Sequence, residues 1–280
     1  MASLDEIRSS SEQKLRALKS SLSSLDGALV AFSGGVDSTF VLAVAREVLG
    51  DRAVALTAHS PSVPQAERSE ARQLAERLGA RHLEVESREI DDPRYAANPV
   101  DRCYYCKSEL YRLCQDAAAR EKVSAILDGF NADDRRDFRP GHLAAEERAI
   151  RSPLAEAGLT KAEVRAWSEA YRLPTWDKPQ MACLASRLPY GTAVTPERLG
   201  QVERAEAGVR ALGFRSFRVR YHGDIGRLEM ASDELEAAFS RRSELVAAVR
   251  SAGFKVAVLD LEPFRSGRMN ELAGVSLPVI

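Results

Sequence analysis

Ala28-Leu-Val-Ala-Phe-Ser-Gly-Gly-Val-Asp-Ser-Thr-Phe-Val-Leu42 is the stretch that decides the fold. Its opening run, Ala28 to Phe32, is continuously apolar, the pattern of a short strand buried on both faces. The run breaks at Ser33-Gly34-Gly35. It resumes at Asp37 or Ser38 as a helical pattern, with Val41, Leu42, Ala45, Val48 and Leu49 on one face. A strand that turns through two glycines into a helix N-terminus makes a seat for phosphate. The glycines Gly34 and Gly35 let the backbone approach an anion, and the hydroxyls of Ser33, Ser38 and Thr39 add donors.

The turn is not a Walker A loop. That motif carries a lysine before its Ser/Thr to reach the β- and γ-phosphates, and here Asp37 precedes Ser38. A carboxylate in a phosphate cradle is repelled unless a divalent cation stands between the two, so Asp37 reads as a magnesium contact. Ser33-Gly-Gly-Val-Asp-Ser38 resembles the pyrophosphatase (PP) loop of enzymes that split ATP between its α- and β-phosphates, adenylating a substrate oxygen.

Working outward, residues 3–24 carry Leu4, Ile7, Leu15, Leu18 and Leu22 at helical spacing. Further strands are expected at 53–57, 82–86 and 123–129, and an amphipathic helix at 65–78 closed by Gly79. Strands alternating with helices imply a doubly wound parallel α/β sheet with ligands at its carboxyl edge, where Ser33, Ser60 and Asp128 fall. His59 stands in the same region, with no partner in view. Helices are expected at 142–157 and at 160–171, the second opening on a Thr160/Glu163 capping box. The charged run Asn131–Gly141 reads equally as a solvated loop or as a magnesium and pyrophosphate contact.

Cys103 and Cys106 form a Cys-x-x-Cys pair at the start of a helix running to about Arg120. A redox role needs a thioredoxin-like setting, and a zinc site needs two further ligands nearby. Cys114, two helical turns on, reads as a packed thiol. Cys183 lies in a proline-punctuated loop beside Ser186 and Arg187, where a cation lowers a thiol's pKa. Taken alone, a plain buried cysteine fits that position as well.

The totals set bounds. With 280 residues, 40 Lys and Arg, and 41 Asp and Glu, the net charge is −1. That gives no bulk electrostatic footprint for nucleic acid or membrane. The first 25 residues are charged throughout, unlike a signal peptide, and no apolar run approaches the ~20 residues of a membrane span. The expectation is a soluble cytosolic protein whose four cysteines are thiols or ligands rather than disulfides.

The last third changes character. A helix at 195–212 is followed by the alternating strand 216–222, a Gly223-Asp224 hairpin turn and a partner strand at 225–229. A helix at 233–250 and a strand at 256–260 complete a small α+β unit. The expected division is a PP-loop domain over 1–190 and a small α+β domain over 191–280, for substrate binding or oligomerisation. Arg218 and Arg220 share one strand face, by default a salt-bridged surface; a phosphate or oligomer contact also fits.

Together, Ser33–Ser38, Cys103–Lys107, Asn131–Gly141, Cys183–Gly191, Phe217–Glu229 and Leu259–Asn270 resemble the LarE family of ATP-dependent sulfur transferases. That family makes pyridinium-3,5-bisthiocarboxylic acid mononucleotide, the organic part of the nickel-pincer cofactor of lactate racemase. The resemblance implies adenylation of a substrate carboxylate by ATP, then displacement of AMP by sulfur. The family draws sulfur either from a sacrificed cysteine or from a [4Fe-4S] cluster held by three. Cys103, Cys106 and Cys183 match the three-cysteine pattern, so a cluster is expected, with sacrifice of Cys183 as the alternative. By the same resemblance Asp37 holds magnesium, and Ser186 and Arg187 sit near the reacting carboxylate. Arg218, Arg220, Arg265 and Arg268 bind the substrate phosphate or line a subunit interface of a homo-oligomer, hexameric in that family.

Three rivals stand beside this reading. An amide-forming synthetase on the same loop needs no cysteine triad. A tRNA thiolase needs a strongly basic surface. A nucleotide-sensing regulator releases no pyrophosphate.

Overall fold

The computed structural model describes residues 3–136, 140–179, 182–265 and 268, with Arg135 and Arg136 described by backbone alone. In chain order the first elements are α1 (Leu4–Ser23), β1 (Ala28–Ala31), α2 (Val36–Leu49), β2 (Ala53–His59), α3 (Gln65–Arg77) and β3 (Arg81–Glu86). Then come α4 (Pro93–Ala96), α5 (Arg102–Glu121), β4 (Ala125–Leu127), α6 (Pro140–Glu146), α7 (Pro153–Glu156) and α8 (Lys161–Ala170). The chain closes with α9 (Pro196–Ala211), β5 (Phe217–His222), β6 (Ile225–Met230), α10 (Leu235–Ser240), α11 (Arg242–Ser251) and β7 (Val256–Leu259).

Two units divide these elements. The first comprises 1–60, 65–89 and 101–181; the second comprises 61–64, 90–100 and 182–280. The first is built on a parallel sheet in the order β3-β2-β1-β4. β1 is central and wholly buried, which is why its sequence is apolar without alternation. Ala28 and Val30 face the core formed with α1, α2, α3 and α8, which includes Leu18, Leu22, Phe40 and Leu74. Leu29 and Ala31 face the opposite core, with Tyr111, Cys114 and Ala117 of α5. Each wholly buried Leu or Phe of this kind contributes about 1.5–3 kcal/mol. α1 opens on a capping box, with Ser3 Oγ accepting from Glu6 N–H at 3.2 Å and Glu6 accepting from Ser3 N–H at 2.7 Å. The Thr160/Glu163 box expected for α8 is present too.

The expected single helix over 142–157 is two short ones. Between α6 and α7 the chain runs extended at Arg151, whose N–H donates to Ile126 O while its carbonyl accepts from Asp128 N, both at 2.9 Å. Pro153 then starts α7 and disfavours a helical Ser152, so no helix can run through.

In the second unit β5 and β6 form an antiparallel hairpin across the two-residue turn Gly223-Asp224, and β7 joins β6 in parallel. Gly223 takes φ +64°, the left-handed region such turns demand. The expected helix 233–250 breaks at Arg241, where α10 ends and α11 begins, and its guanidinium donates to Leu212 O at 2.7 Å. Strand alternation pointed to a half-exposed β5, yet Phe217, Arg218, Val219 and Arg220 are all buried. Among the described residues, no helix is long and apolar enough to cross a membrane.

Candidate active site

The glycine turn stands at the carboxyl end of β1, as its sequence requires. Gly34 has φ +70°, where a side chain is strained, and a Cβ there would crowd Ala71 Cβ at 3.1 Å. Ser33 N–H donates to Ser38 Oγ at 3.3 Å, and the two hydroxyl oxygens lie 3.1 Å apart. Ser38 Oγ also donates to Gly35 O at 3.3 Å. The turn thus folds on its own serines. At the start of α2, the N–H groups of Val36, Asp37 and Ser38 have no partner among the described residues, as at any uncapped helix start. Gly129, just past β4, lets its strand end lie against this start: a Cβ there would meet Ser38 N at 2.8 Å.

Two lysines that sequence reasoning passed over stand beside the turn. Lys161, the first residue of α8, places Nζ 2.5 Å from Asp37 Oδ2, and Asn131 Nδ2 donates to Asp37 Oδ1 at 3.3 Å. Asp133 is occupied in accepting the backbone N–H of Lys161 at 2.8 Å. Asp37 therefore presents a carboxylate at the cradle with a cation already on it, a hard oxygen donor suited to magnesium. Lys178 Nζ donates to Glu67 at 2.7 Å, to Glu70 at 2.9 Å and to Gly34 O at 3.3 Å. The missing Walker lysine was the only hint in the sequence that such cations had to come from elsewhere.

Ser60 lies just past β2, and its hydroxyl donates to the buried Glu89, which also accepts from Ser87 Oγ. His59 is paired with Glu84 at 2.6 Å. Arg72 holds the same carboxylate through two hydrogen bonds, which, with the contact from His59, keeps Glu84 down at about 2.

Cys103 is exposed and Cys106 half-buried, one turn apart at the start of α5. Cys106 and Cys114 both bear on Tyr111, whose phenol is held above its ordinary range by burial and by Asp128, to which it donates at 2.9 Å. Asp128 sits past β4, beside Gly129, so this chain of side chains leads from the cysteine pair toward the cradle. Cys114 is wholly buried, and burial pushes its thiol up to about 12. It is the packed thiol expected.

In the second unit, Cys183 precedes a short 3-10 turn over 184–187. Its carbonyl accepts from Ser186 Oγ at 2.7 Å and from Arg187 Nη1 at 3.1 Å. Arg187 is 0% exposed, and Glu206 accepts from it twice, at 2.9 and 3.0 Å. The guanidinium thus holds the backbone around Cys183 and is itself neutralised from α9. Arg220 is paired with Glu229 at 2.8 Å and donates to Ser186 O at 2.9 Å. Arg218 is buried over the Phe264 ring, 4.7 Å from its centroid, and donates to Phe217 O, with no carboxylate partner among the described residues. Burial, aided by the charges of Arg187, Arg220 and Arg210 and opposed by that of Glu206, pushes it down to about 10. Arg265 is exposed, and Arg268 is paired with Asp260 and Glu262. Residues 137–139 of the charged run, and 266, 267, 269 and 270 of the last motif, lie outside the described residues. Among the described residues no group of three or more His, Cys, Asp or Glu is placed to hold a metal ion, and the expected cluster finds no support there.

A family model described as asparagine synthase matches residues 15–206, which span the cradle, the cysteine pair and Cys183. Over 259 residues the chain is 39% identical to pyridinium-3,5-bisthiocarboxylic acid mononucleotide synthase of Lactiplantibacillus plantarum, covering 92% of this chain and 94% of that one. The chain belongs to the LarE family of ATP-dependent sulfur transferases. Further relatives of this LarE-family chain include an uncharacterized protein of Synechocystis, 45% identical over 263 residues (93% of this chain, 98% of that one). Another, from Methanocaldococcus jannaschii, is 24% identical over 238 residues (85% and 90%).

Proposed function

We propose that this LarE-family chain adenylates a carboxylate of pyridinium-3,5-biscarboxylic acid mononucleotide and converts it to a thiocarboxylate for nickel-pincer cofactor synthesis, releasing AMP and pyrophosphate. The observation that carries the reading is the glycine cradle with Asp37 at the lysine position of a Walker loop. The product is the one for which the Lactiplantibacillus relative is named, and replacing its sulfurs by oxygen gives the substrate.

In this reading the Ser33–Ser38 turn binds the triphosphate through its N–H groups and hydroxyls. Asp37 would hold magnesium, its carboxylate now being paired with Lys161. A substrate carboxylate oxygen attacks the α-phosphorus and pyrophosphate leaves; the oxygen now departs with AMP when sulfur attacks the acyl carbon. Arg218, a buried cation with no carboxylate hydrogen-bonded to it among the described residues, suits the substrate's phosphate. Arg187 and Glu206 fix the backbone that presents Cys183.

The sulfur source has two readings. The pattern of Cys103, Cys106 and Cys183 supports thiolate ligation of an iron–sulfur cluster, which when bound supplies sulfide. In the second, Cys183 is the nucleophile and its own sulfur is lost. There the Cβ–S bond breaks as the Cα proton leaves, giving thiocarboxylate and dehydroalanine. Homo-oligomeric assembly rests on the family resemblance.

Pyrophosphate release on adding ATP and the pyridinium mononucleotide, with an oxygen-to-sulfur exchange in the product mass, tests the reaction. No pyrophosphate overturns it. Iron and sulfide analysis after anaerobic purification, with a search for a loss of about 34 Da at Cys183 after turnover, separates the sulfur sources.

A further inference from the structure

Lys178 carries more contacts than a strap needs. Its ammonium is met by two carboxylates one turn apart on α3, Glu67 and Glu70, and by the carbonyl of Gly34 in the turn itself. The side chain is only 13% exposed. The segment that bears it is fastened separately: Arg165 donates to Trp176 O and to Lys178 O, both at 2.7 Å. Holding the loop therefore does not depend on the amine. α3 reaches the turn through Ala71, against which Gly34 lies, so Glu67 and Glu70 sit on the helix that abuts the cradle.

A phosphate cradle without its own lysine still has to offset the charge of a departing pyrophosphate. Backbone N–H groups and one magnesium leave part of it uncompensated, and a mobile ammonium at the rim offsets it. The Lys ammonium is a point charge on a flexible stem, able to change partners without moving the backbone. We propose that Lys178 is the phosphate-contacting cation of this site. Glu67, Glu70 and the Gly34 carbonyl hold it while the turn is empty; it transfers to the β- and γ-phosphate oxygens when a triphosphate enters. This role rests on the reading of Ser33–Ser38 as a nucleotide cradle.

Calorimetric titration of the full chain with magnesium and α,β-methylene-ATP, with pyrophosphate and with AMP tests it. Lys178→Met weakens α,β-methylene-ATP and pyrophosphate about tenfold or more and leaves AMP within about twofold. Glu67→Gln with Glu70→Gln, which releases the amine, tightens α,β-methylene-ATP. A Lys178→Met protein that binds all three ligands as wild type does, losing only thermal stability, reduces the residue to a strap and overturns the proposal. Should Lys178→Met fail to fold, unchanged or weaker binding by the double glutamine variant overturns it instead. If wild type takes up neither α,β-methylene-ATP nor pyrophosphate, the cradle reading itself falls, an outcome distinct from a silent Lys178→Met.

Discussion

Arg187 and Glu206, both buried, face each other through two parallel hydrogen bonds of 2.9 and 3.0 Å, and the same guanidinium donates to the carbonyls of Ala182 and Cys183. Removing one partner of a buried pair leaves the other charged and unsatisfied, a cost of about 3–5 kcal/mol. Glu206→Ala is expected to lower the denaturation midpoint accordingly. Glu206→Gln, which keeps the shape, is expected to spare pyrophosphate release while reducing thiocarboxylate formation. Urea unfolding and product mass spectrometry check the two.

Asp37 and Lys161 form a partly exposed pair, so its loss costs stability under about 1 kcal/mol. Its chemical cost is larger. Asp37→Asn is expected to slow pyrophosphate release about 100-fold or more, since the charge proposed to hold magnesium on the cradle is gone. Near-wild-type release at saturating magnesium counts against the assignment.

Arg218 is a cation held down at about 10 chiefly by burial, which the charge of Glu206 offsets only in part, and no carboxylate among the described residues is hydrogen-bonded to it. An incoming phosphate supplies the missing charge. The proposed mononucleotide substrate, without ATP, is expected to raise the melting temperature of wild type and not of Arg218→Met, as followed by differential scanning fluorimetry.

Glu84, held at about 2 first by Arg72 and then by His59, gives a signed pH dependence. Its folded pKa lies below the ordinary carboxylate value, so its contribution is present above about 4.5 and is lost as pH falls through about 2. The stability gap between wild type and Glu84→Gln is therefore expected at pH 7, narrowing below pH 4.5 and closing near pH 2. A gap of constant size across that range contradicts the assignment.

Gly129 faces a backbone nitrogen, which cannot swing aside as a side chain can. Gly129→Ala is expected to cost about 1–3 kcal/mol and to weaken nucleotide binding as Ser38 is displaced. Thermal melts and calorimetry on one sample read both effects.

Much of the first unit was legible because β1 is apolar at every position and the glycines that follow leave few conformations for the turn. The breaks at Pro153 and Arg241 were not, although Pro153 was in plain view: apolar spacing continued across both and outweighed the local signal. Lys161, Lys178 and Glu206 carried no motif at all, and each gains its meaning from a partner 19 or more positions away. The alternation in β5 told correctly which residues share a face, but a two-residue period does not say what covers that face. Hence Arg218 and Arg220 looked like solvated surface.

Cys114 gives the molecule a built-in stopwatch. Sealed against β1 and hard to ionise, it escapes alkylating reagents for as long as α5 stays docked, whereas Cys103, Cys106 and Cys183 are at least partly open to them. Its labelling rate, read apart from the other three, times how often the sheet lets go of that helix.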